Sequence, residues 1–323
     1  MKFTSIKEEI EYSKKRYNLK KDIEELLLDK NYINYESNII VDYNLDIYEK
    51  NQSKDRESVK IIGNNGNISI LSKDITTNIL NNLMPNWEKD YSVKLFYYGK
   101  TFKRTNNKIN EIRQMGAECI GVDTLDSDKE ILNLLISIMS KYSEEYIVEI
   151  GTSEYLKGIL NEFYLDEIEY NNIINYINKK NKEDLAEYMK KFENTETRKM
   201  LVEITDMRGS IDEVISKLKN NYVNNKMEKG LKELKEISNF LKSNDIDQKN
   251  IICDLSMTSS LNYYSGLMFK SFYKESNKEI IKGGRYDIDY DGYGDVIPAI
   301  GFSIEIDELL RSLYKRRKIW WIH

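Results

Sequence analysis

Apolar residues recur at helical intervals through the first stretch of the chain, SIKEEIEYSKKRYNLKKDIEELLLDK. There Ile6, Ile10, Tyr17, Ile23, Leu26 and Leu27 stand among charges and predict one or two amphipathic helices. The period then shortens. NYINYESNIIVDY, SVKIIG and NISILSKD are strand-like runs, and GNNGN between the last two reads as a hairpin turn. SVKLFYYGKTFKR and IRQMGAECIGV follow as longer strands, joined by a polar TNNKIN short enough to connect antiparallel neighbours. In the second of these, Gln114, Gly116 and Glu118 occupy alternate positions and so share one face of a strand. That spacing suits either the floor of a polar pocket or a solvated sheet face.

A helix follows, its start marked by an S-x-x-E capping box, Ser127 and Glu130, ahead of Ile131, Leu134, Leu135, Ile138 and Met139. EYIVEIGT reads as a strand. From Ser153 to Asn244 the chain has no proline, few glycines and helical periodicity, as in Leu231, Leu234, Ile237 and Leu241. NIICDLS, LNYYSGLMFKSFY and KEIIKGG restore the strand pattern, and IGFSIEIDELLRSL predicts a strand running into a last amphipathic helix. The pattern describes an α+β fold, an antiparallel sheet flanked by helices. Its core is discontinuous, residues 1–152 and 245–315, with a helical insertion at 153–244 and a tail at 316–323.

Composition narrows the chemistry. The 323 residues are 40% hydrophobic, enough to cover a substantial core. Charged residues make up 32% with both signs nearly balanced, and the formal net charge is -5, so no global field favours nucleic acid or an anionic membrane. No apolar run reaches the roughly 20 residues of a membrane-spanning helix, and a charged, helix-patterned start in place of a signal peptide makes the cytoplasm the expectation. Cys119 and Cys253 are the two cysteines, both in apolar strand-like runs, and His323 is the one histidine. Disulfide scaffolds, histidine bases, catalytic triads and cysteine or histidine metal sites are thereby excluded as leading readings, and no cofactor is implied.

Several separated segments, in order, resemble the histidyl-tRNA synthetase core of the class II aminoacyl-tRNA synthetases. LFYYGKTFKR with NEIRQMGAECIG is similar to that family's second signature motif, which ends in Q-x-G-x-E-x-x-G. LNYYSG resembles its histidine-recognition element L-D-Y-Y-T-G, and GGRYD at 283–287 matches the next element outright. PAIGFSIEIDELL resembles the third class II motif, and LSKDIT stands where the family has L-R-P-D-x-T. The matches run from about residue 20 to 315. The resemblance implies a class II synthetase-like sheet and a histidine pocket formed by Asp74, Thr76, Gln114, Glu118, Tyr263 and Tyr264. Arg285 is a lower-ranked candidate, split evenly between ligand contact and a structural role. Gly116 would leave room for a flat ring to approach the strand.

The departures from the family pattern fall on its nucleotide half. F-R-x-E is Phe102-Lys103-Arg104-Thr105 here, Glu308 stands in place of the third motif's arginine, and the R-G before L-D-Y-Y is Ser259-Ser260. A carboxylate repels a triphosphate where a guanidinium would attract it, and fixed cations supply most of the catalysis at phosphorus. Adenylation is therefore expected to be lost and no catalytic residue is assigned. The chain also stops soon after the third motif, where a synthetase continues into an anticodon-binding domain. Taken together these features resemble the regulatory subunits of ATP phosphoribosyltransferase. That likeness implies a partner, the short catalytic subunit of the first step of histidine biosynthesis, which such a subunit activates and through which L-histidine inhibits. It also implies a homodimer inside a hetero-octamer, with no membrane and no nucleic-acid partner. The first-motif region departs as well, with Asn38 and Val41 where the family has proline and glutamate. Two other readings stay open: a divergent enzyme that activates an amino acid with ATP through Lys103, Arg104 or Arg113, and a tRNA-binding relative. KRRK near the end reads as a solvated tail, and Trp320 and Trp321 as a patch that packs on a subunit.

Overall fold

The structure, a computed structural model, describes residues 5–42, 58–105, 108–193, 195–218, 223–258, 264–274, 276, 278–289 and 296–319. Tyr263, Ser259-Ser260 and the Trp320-Trp321 pair lie outside the described residues. The chain divides into two compact units, one of residues 1–122, 289–297 and 301–323, the other of 123–288 and 298–300.

The first unit opens with a single long helix, α1 (Ile6–Asp29), capped by the Ser5 hydroxyl, which accepts from the Glu8 amide at 3.2 Å. Its buried face is Tyr12, Leu19, Ile23 and Leu27, whereas Ile6, Ile10 and Tyr17 are exposed, so the stripe predicted from the sequence is correct only in its last turns. Helical spacing offers two overlapping apolar stripes here, and packing selects the one that faces the core. Asn31, at φ 62°, takes the left-handed conformation that ends the helix. A short β1 (Ile33–Asn34) follows. The strands β2 (Ile40–Asp42), β3 (Lys60–Ile62) and β4 (Ile68–Leu71) form a small antiparallel sheet with β4 in the centre. The turn between β3 and β4 is the predicted hairpin: Ile62 pairs with Ile68, and Gly66 at φ 78° supplies the conformation that glycine adopts at least cost. After α2 (Ile75–Leu83) come β5 (Val93–Thr105) and β6 (Lys108–Ile120), antiparallel partners along their whole lengths, from Val93 opposite Ile120 to Thr105 opposite Lys108.

The second unit begins with α3 (Leu125–Tyr142), whose apolar series Ile131, Leu134, Leu135, Ile138 and Met139 is buried as the periodicity predicts. The predicted capping box does not form. Thr124 is the N-cap, and the Ser127 hydroxyl turns back to donate to the Thr124 carbonyl at 2.7 Å. Next come β7 (Tyr146–Thr152) and a helical run: α4 (Ser153–Leu160), α5 (Glu167–Asn178), α6 (Lys182–Met189) and α7 (Thr195–Glu203). A two-residue strand, β8 (Arg208–Gly209), precedes α8 (Ile211–Lys217) and α9 (Asn225–Ser243). Then follow β9 (Ile251–Asp254), β10 (Tyr264–Tyr273) and β11 (Ile281–Asp289). The strand order in this unit is β11-β10-β7-β9-β8. It mixes directions: β10 runs antiparallel to β11 and β7, and β9 parallel to β7. Helices α4 and α9 pack through glycines, since a methyl on Gly158 would stand 2.4 Å from the Met227 side chain, and one on Gly230 2.9 Å from Thr152. The chain then returns to the first unit through β12 (Val296–Glu305), which lies beside β6 in the order β1-β5-β6-β12, and α10 (Ile306–Ile319), which packs on α1. Among the described residues no helix is long and apolar enough to cross a membrane.

Candidate functional site

Gln114 and Glu118 are buried on β6, with relative exposures of 9% and 2%. The solvated-face reading of their alternation is thereby ruled out, because Met115, Ala117 and Cys119 on the opposite face are buried too. A buried carboxylate is tolerated only where donors surround it. One donor is Thr76, whose hydroxyl reaches Glu118 Oε1 at 2.6 Å from the first turn of α2. That helix is brought against β5 by a missing side chain: a Cβ on Gly99, the cross-strand partner of Gln114, would lie 2.9 Å from Ile75 Cδ1. The other oxygen depends on β12. A Cβ on Gly301 would sit 1.8 Å from Glu118 Oε2 and 2.5 Å from Cδ, so the carboxylate occupies the space that any side chain at 301 would fill. Gly301 was not singled out by sequence reasoning. Its signal was its place in the G-F-S run of the third-motif resemblance.

Gly116 serves a different purpose from the one the pattern suggested. A Cβ there would meet the Phe302 carbonyl oxygen and the ring and hydroxyl of Tyr97, all at 2.4 Å. Tyr97 is its partner across the β5–β6 ladder and is fully buried. The flat ring that glycine admits therefore belongs to the protein itself. Asp74 is exposed and caps α2, its Oδ1 accepting from the Thr77 amide at 2.7 Å.

In the second unit, Tyr264 opens β10 with its ring laid over Gly284, where a Cβ would come within 2.9 Å of it. Its carbonyl accepts from Ser153 Oγ at 2.9 Å and from Lys157 Nζ at 2.5 Å. Arg285, two places along β11 from Gly283, is 7% exposed and committed to the start of α3. Its Nε donates to both oxygens of Asp128 at 3.0 and 3.1 Å, and its Nη2 reaches Asp128 at 2.5 Å, Ser127 at 2.7 Å and the Thr124 carbonyl at 3.1 Å. Burial opposes its charge, but the bonds to Asp128 outweigh it and raise the guanidinium pKa above its ordinary value. This is the structural employment of Arg285; the ligand role had equal standing in the sequence. Asp128, which is buried, was not singled out by sequence reasoning.

Three arginines of the first unit, Arg113, Arg16 and Arg311, are held by acids of the same unit. Arg113 pairs with Asp307 at 2.9 Å and with Glu111 at 2.6 Å. Burial tends to lower its pKa, and the Asp307 carboxylate more than restores it. Arg16 also approaches Asp307, at 3.6 Å, and Glu308 is buried and paired with Arg311 one turn along α10. Lys103 is half-buried and Arg104 exposed near the end of β5. Among the described residues no group of three His, Cys, Asp or Glu side chains could hold a metal ion. Burial pushes the Cys253 thiol up to about 12, far from a reactive thiolate.

Comparison with known proteins places the chain in a family. The ATP phosphoribosyltransferase regulatory subunit of Clostridium acetobutylicum is 29% identical over 310 residues, which cover 91% of this chain and 75% of that protein. Among solved structures, an ATP phosphoribosyltransferase regulatory subunit/histidyl-tRNA synthetase from Bacillus halodurans superposes with a TM-score of 0.83 at 23% identity, covering 97% of this chain and 82% of the other. A chain of the ATP phosphoribosyl transferase complex from Thermotoga maritima superposes with a TM-score of 0.69 at 18% identity, covering 90% and 97%. Both neighbours share the class II synthetase-like fold of a central sheet flanked by helices. The family profile described as histidyl-tRNA synthetase matches residues 40–309, which is most of the sequence and spans β2 to the first turn of α10. The chain belongs to the histidyl-tRNA synthetase family.

Proposed function

We propose that this chain is a non-catalytic regulatory subunit of ATP phosphoribosyltransferase, which activates a short catalytic subunit in histidine biosynthesis and carries feedback inhibition by L-histidine. The observation that supports it best is the contrast within the first unit. A buried carboxylate, Glu118, lies beside the hydroxyl of Thr76, whereas Arg113 and Arg311 are neutralised by Asp307, Glu111 and Glu308. An amino acid's ammonium gains from the first arrangement. A triphosphate finds little in the second, because a guanidinium already paired with carboxylates offers it no uncompensated charge. The names of the curated relatives favour the same reading over an amino-acid-activating enzyme.

Histidine's partners in this proposal are Asp74, Thr76, Gln114 and Glu118 of the first unit, to which the family resemblance adds Tyr263 and Tyr264. Asp74, as a helix cap, would offer its remaining oxygen. The assembly is a cytoplasmic hetero-oligomer with the short catalytic subunit. Within it the chain forms a homodimer, a reading supported by the exposed isoleucines of the small sheet, Ile40 at 58%, Ile61 at 39% and Ile62 at 75%.

The test is co-purification with the short catalytic subunit of the same genome, followed by its activity with and without histidine. Activation that histidine reverses is the expected result, along with a measurable heat of histidine binding to this chain alone. Clear ATP–pyrophosphate exchange with histidine would overturn the proposal in favour of an active synthetase-like enzyme.

A further inference from the structure

Asp254 closes β9 and is buried, at 5% exposure. Its carboxylate accepts from the Ser256 amide at 2.9 Å and from the Ser256 hydroxyl at 2.6 Å. A further donor comes from the helical run. Lys180, in the turn between α5 and α6, donates to both oxygens of Asp254 at 3.0 and 2.9 Å, to Ser256 Oγ and to the Thr205 carbonyl at 3.4 Å. Its side chain is 43% exposed, so these bonds and not burial fix its place. Its backbone stands at φ 52°, a conformation that strains a residue with a side chain and persists where its surroundings hold it. Asn178, the last residue of α5, accepts from the Thr258 hydroxyl. The other side of this run has no slack, since a Cβ on Gly151 of β7 would stand 2.6 Å from the Asp254 carbonyl oxygen and 3.3 Å from Met257 Sδ.

Residues 254–258 lead along the chain into LNYYSG, whose Tyr264 is held at its carbonyl by Ser153 and Lys157 of α4. The approach to β10 is thus tied to helical side chains at both of its ends, by the α5–α6 turn where it leaves β9 and by α4 where it enters β10. We infer that the α5–α6 turn positions the element that recognises histidine, with Lys180 as the positioning residue: it fixes Asp254 and Ser256, and through them the run that presents Tyr264. On the regulatory reading proposed above, on which this rests, the helical insertion thereby governs how tightly histidine is held. Lys180 acts through position alone.

The test is calorimetric titration of L-histidine into the full-length chain. A purely structural loss lowers the number of competent sites, whereas misplacement raises Kd with that number unchanged. Lys180→Met should raise the histidine Kd about fivefold or more, within the range that substitutions in a coupling network give, at unchanged stoichiometry. Lys180→Arg keeps a cation in reach of Asp254 and should restore the wild-type Kd. Arg208 Nε, 3.9 Å from Asp254, leaves that carboxylate a nearby cation in the methionine variant. Should the variant still melt below the working temperature, Thr258→Val removes only the bond to Asn178 and should raise Kd in the same sense. A folded Lys180→Met or Thr258→Val chain with the wild-type Kd overturns the inference. So does a change confined to stoichiometry, or a Lys180→Arg chain as weak as Lys180→Met. A wild-type chain that does not bind histidine overturns the regulatory proposal itself and the inference with it, a result distinct from the other three.

Discussion

Replacing Gly301 with alanine tests how the Glu118 site is built. The new Cβ would lie 1.8 Å from Glu118 Oε2, 2.5 Å from its Cδ and 2.7 Å from the Ala117 carbonyl oxygen. Non-bonded heavy atoms of this kind settle at roughly 3.5 Å, so the carboxylate must withdraw by more than an ångström. The 2.6 Å bond from Thr76 cannot survive that movement. Losing a hydrogen bond to a charged group costs about 1.5–3 kcal/mol, and pressing a methyl against backbone in a packed sheet adds about 1–3 kcal/mol. The sum, about 2.5–6 kcal/mol, corresponds to a fall in Tm of roughly 5–24 °C for a cooperative unit of this size. Thermal unfolding followed by circular dichroism measures it, with Gly63→Ala as the control, since its methyl would meet only the Asn67 carbonyl at 3.5 Å. Histidine calorimetry on the folded fraction gives the second reading, where affinity should drop by at least about tenfold. A Gly301→Ala chain with the Tm of the control and unchanged histidine affinity would refute the reasoning, because it would mean that Glu118 does not depend on the space above Gly301.

Removing one partner of the buried Arg285–Asp128 pair should cost about 3–5 kcal/mol by leaving an uncompensated charge, and urea unfolding of Arg285→Met against Arg285→Met/Asp128→Leu should show the double variant recovering part of it. Glu233 on α9 is raised to about 7 by burial, against an ordinary value of 4.5, and accepts from Thr152 at 3.2 Å. Its neutral form is the one the fold favours, so its contribution is complete below about pH 4.5 and is lost as pH rises through 7. Glu233→Gln should flatten the decline in urea midpoint between pH 5 and pH 8, and an unchanged slope would contradict the assignment. Thr76→Val keeps the shape but removes the donor to Glu118; it should weaken histidine binding about tenfold, with the association rate little changed, as stopped-flow titration would show. Ile62→Glu on the exposed small sheet should shift sedimentation towards the monomer if that face joins two copies.

Much of the secondary structure was legible because periodicity is a local property. The alternation along β5 and β6, the turn at Gly66 and the buried series of α3 follow from side-chain direction and backbone freedom within a few residues. The family resemblance came from short ordered motifs, and it carried Thr76, Gln114 and Glu118 as ligand candidates. What those motifs could not carry was the use each residue finds in space. Gly116 looked like room for a ligand and makes room for Tyr97; Arg285 stood between two roles and is bonded to Asp128. The Ser127 box looked like a helix start and is bypassed by Thr124, because Ser127 instead serves the chain's own carbonyl and the buried guanidinium.

The amino-acid order by itself determined which segments alternate and which coil, since these depend on residue type and spacing alone; the absence of nucleotide-side arginines is what the family resemblance implies. Tertiary structure alone decided which apolar stripe of α1 turns inward, that Arg113 is held by Asp307, and that Glu118 rests in the space left by Gly301. The physical reason is the same in each case: burial, ion pairing and close approach are set by partners such as those 42 and 194 positions away along the chain, and no local window contains both members.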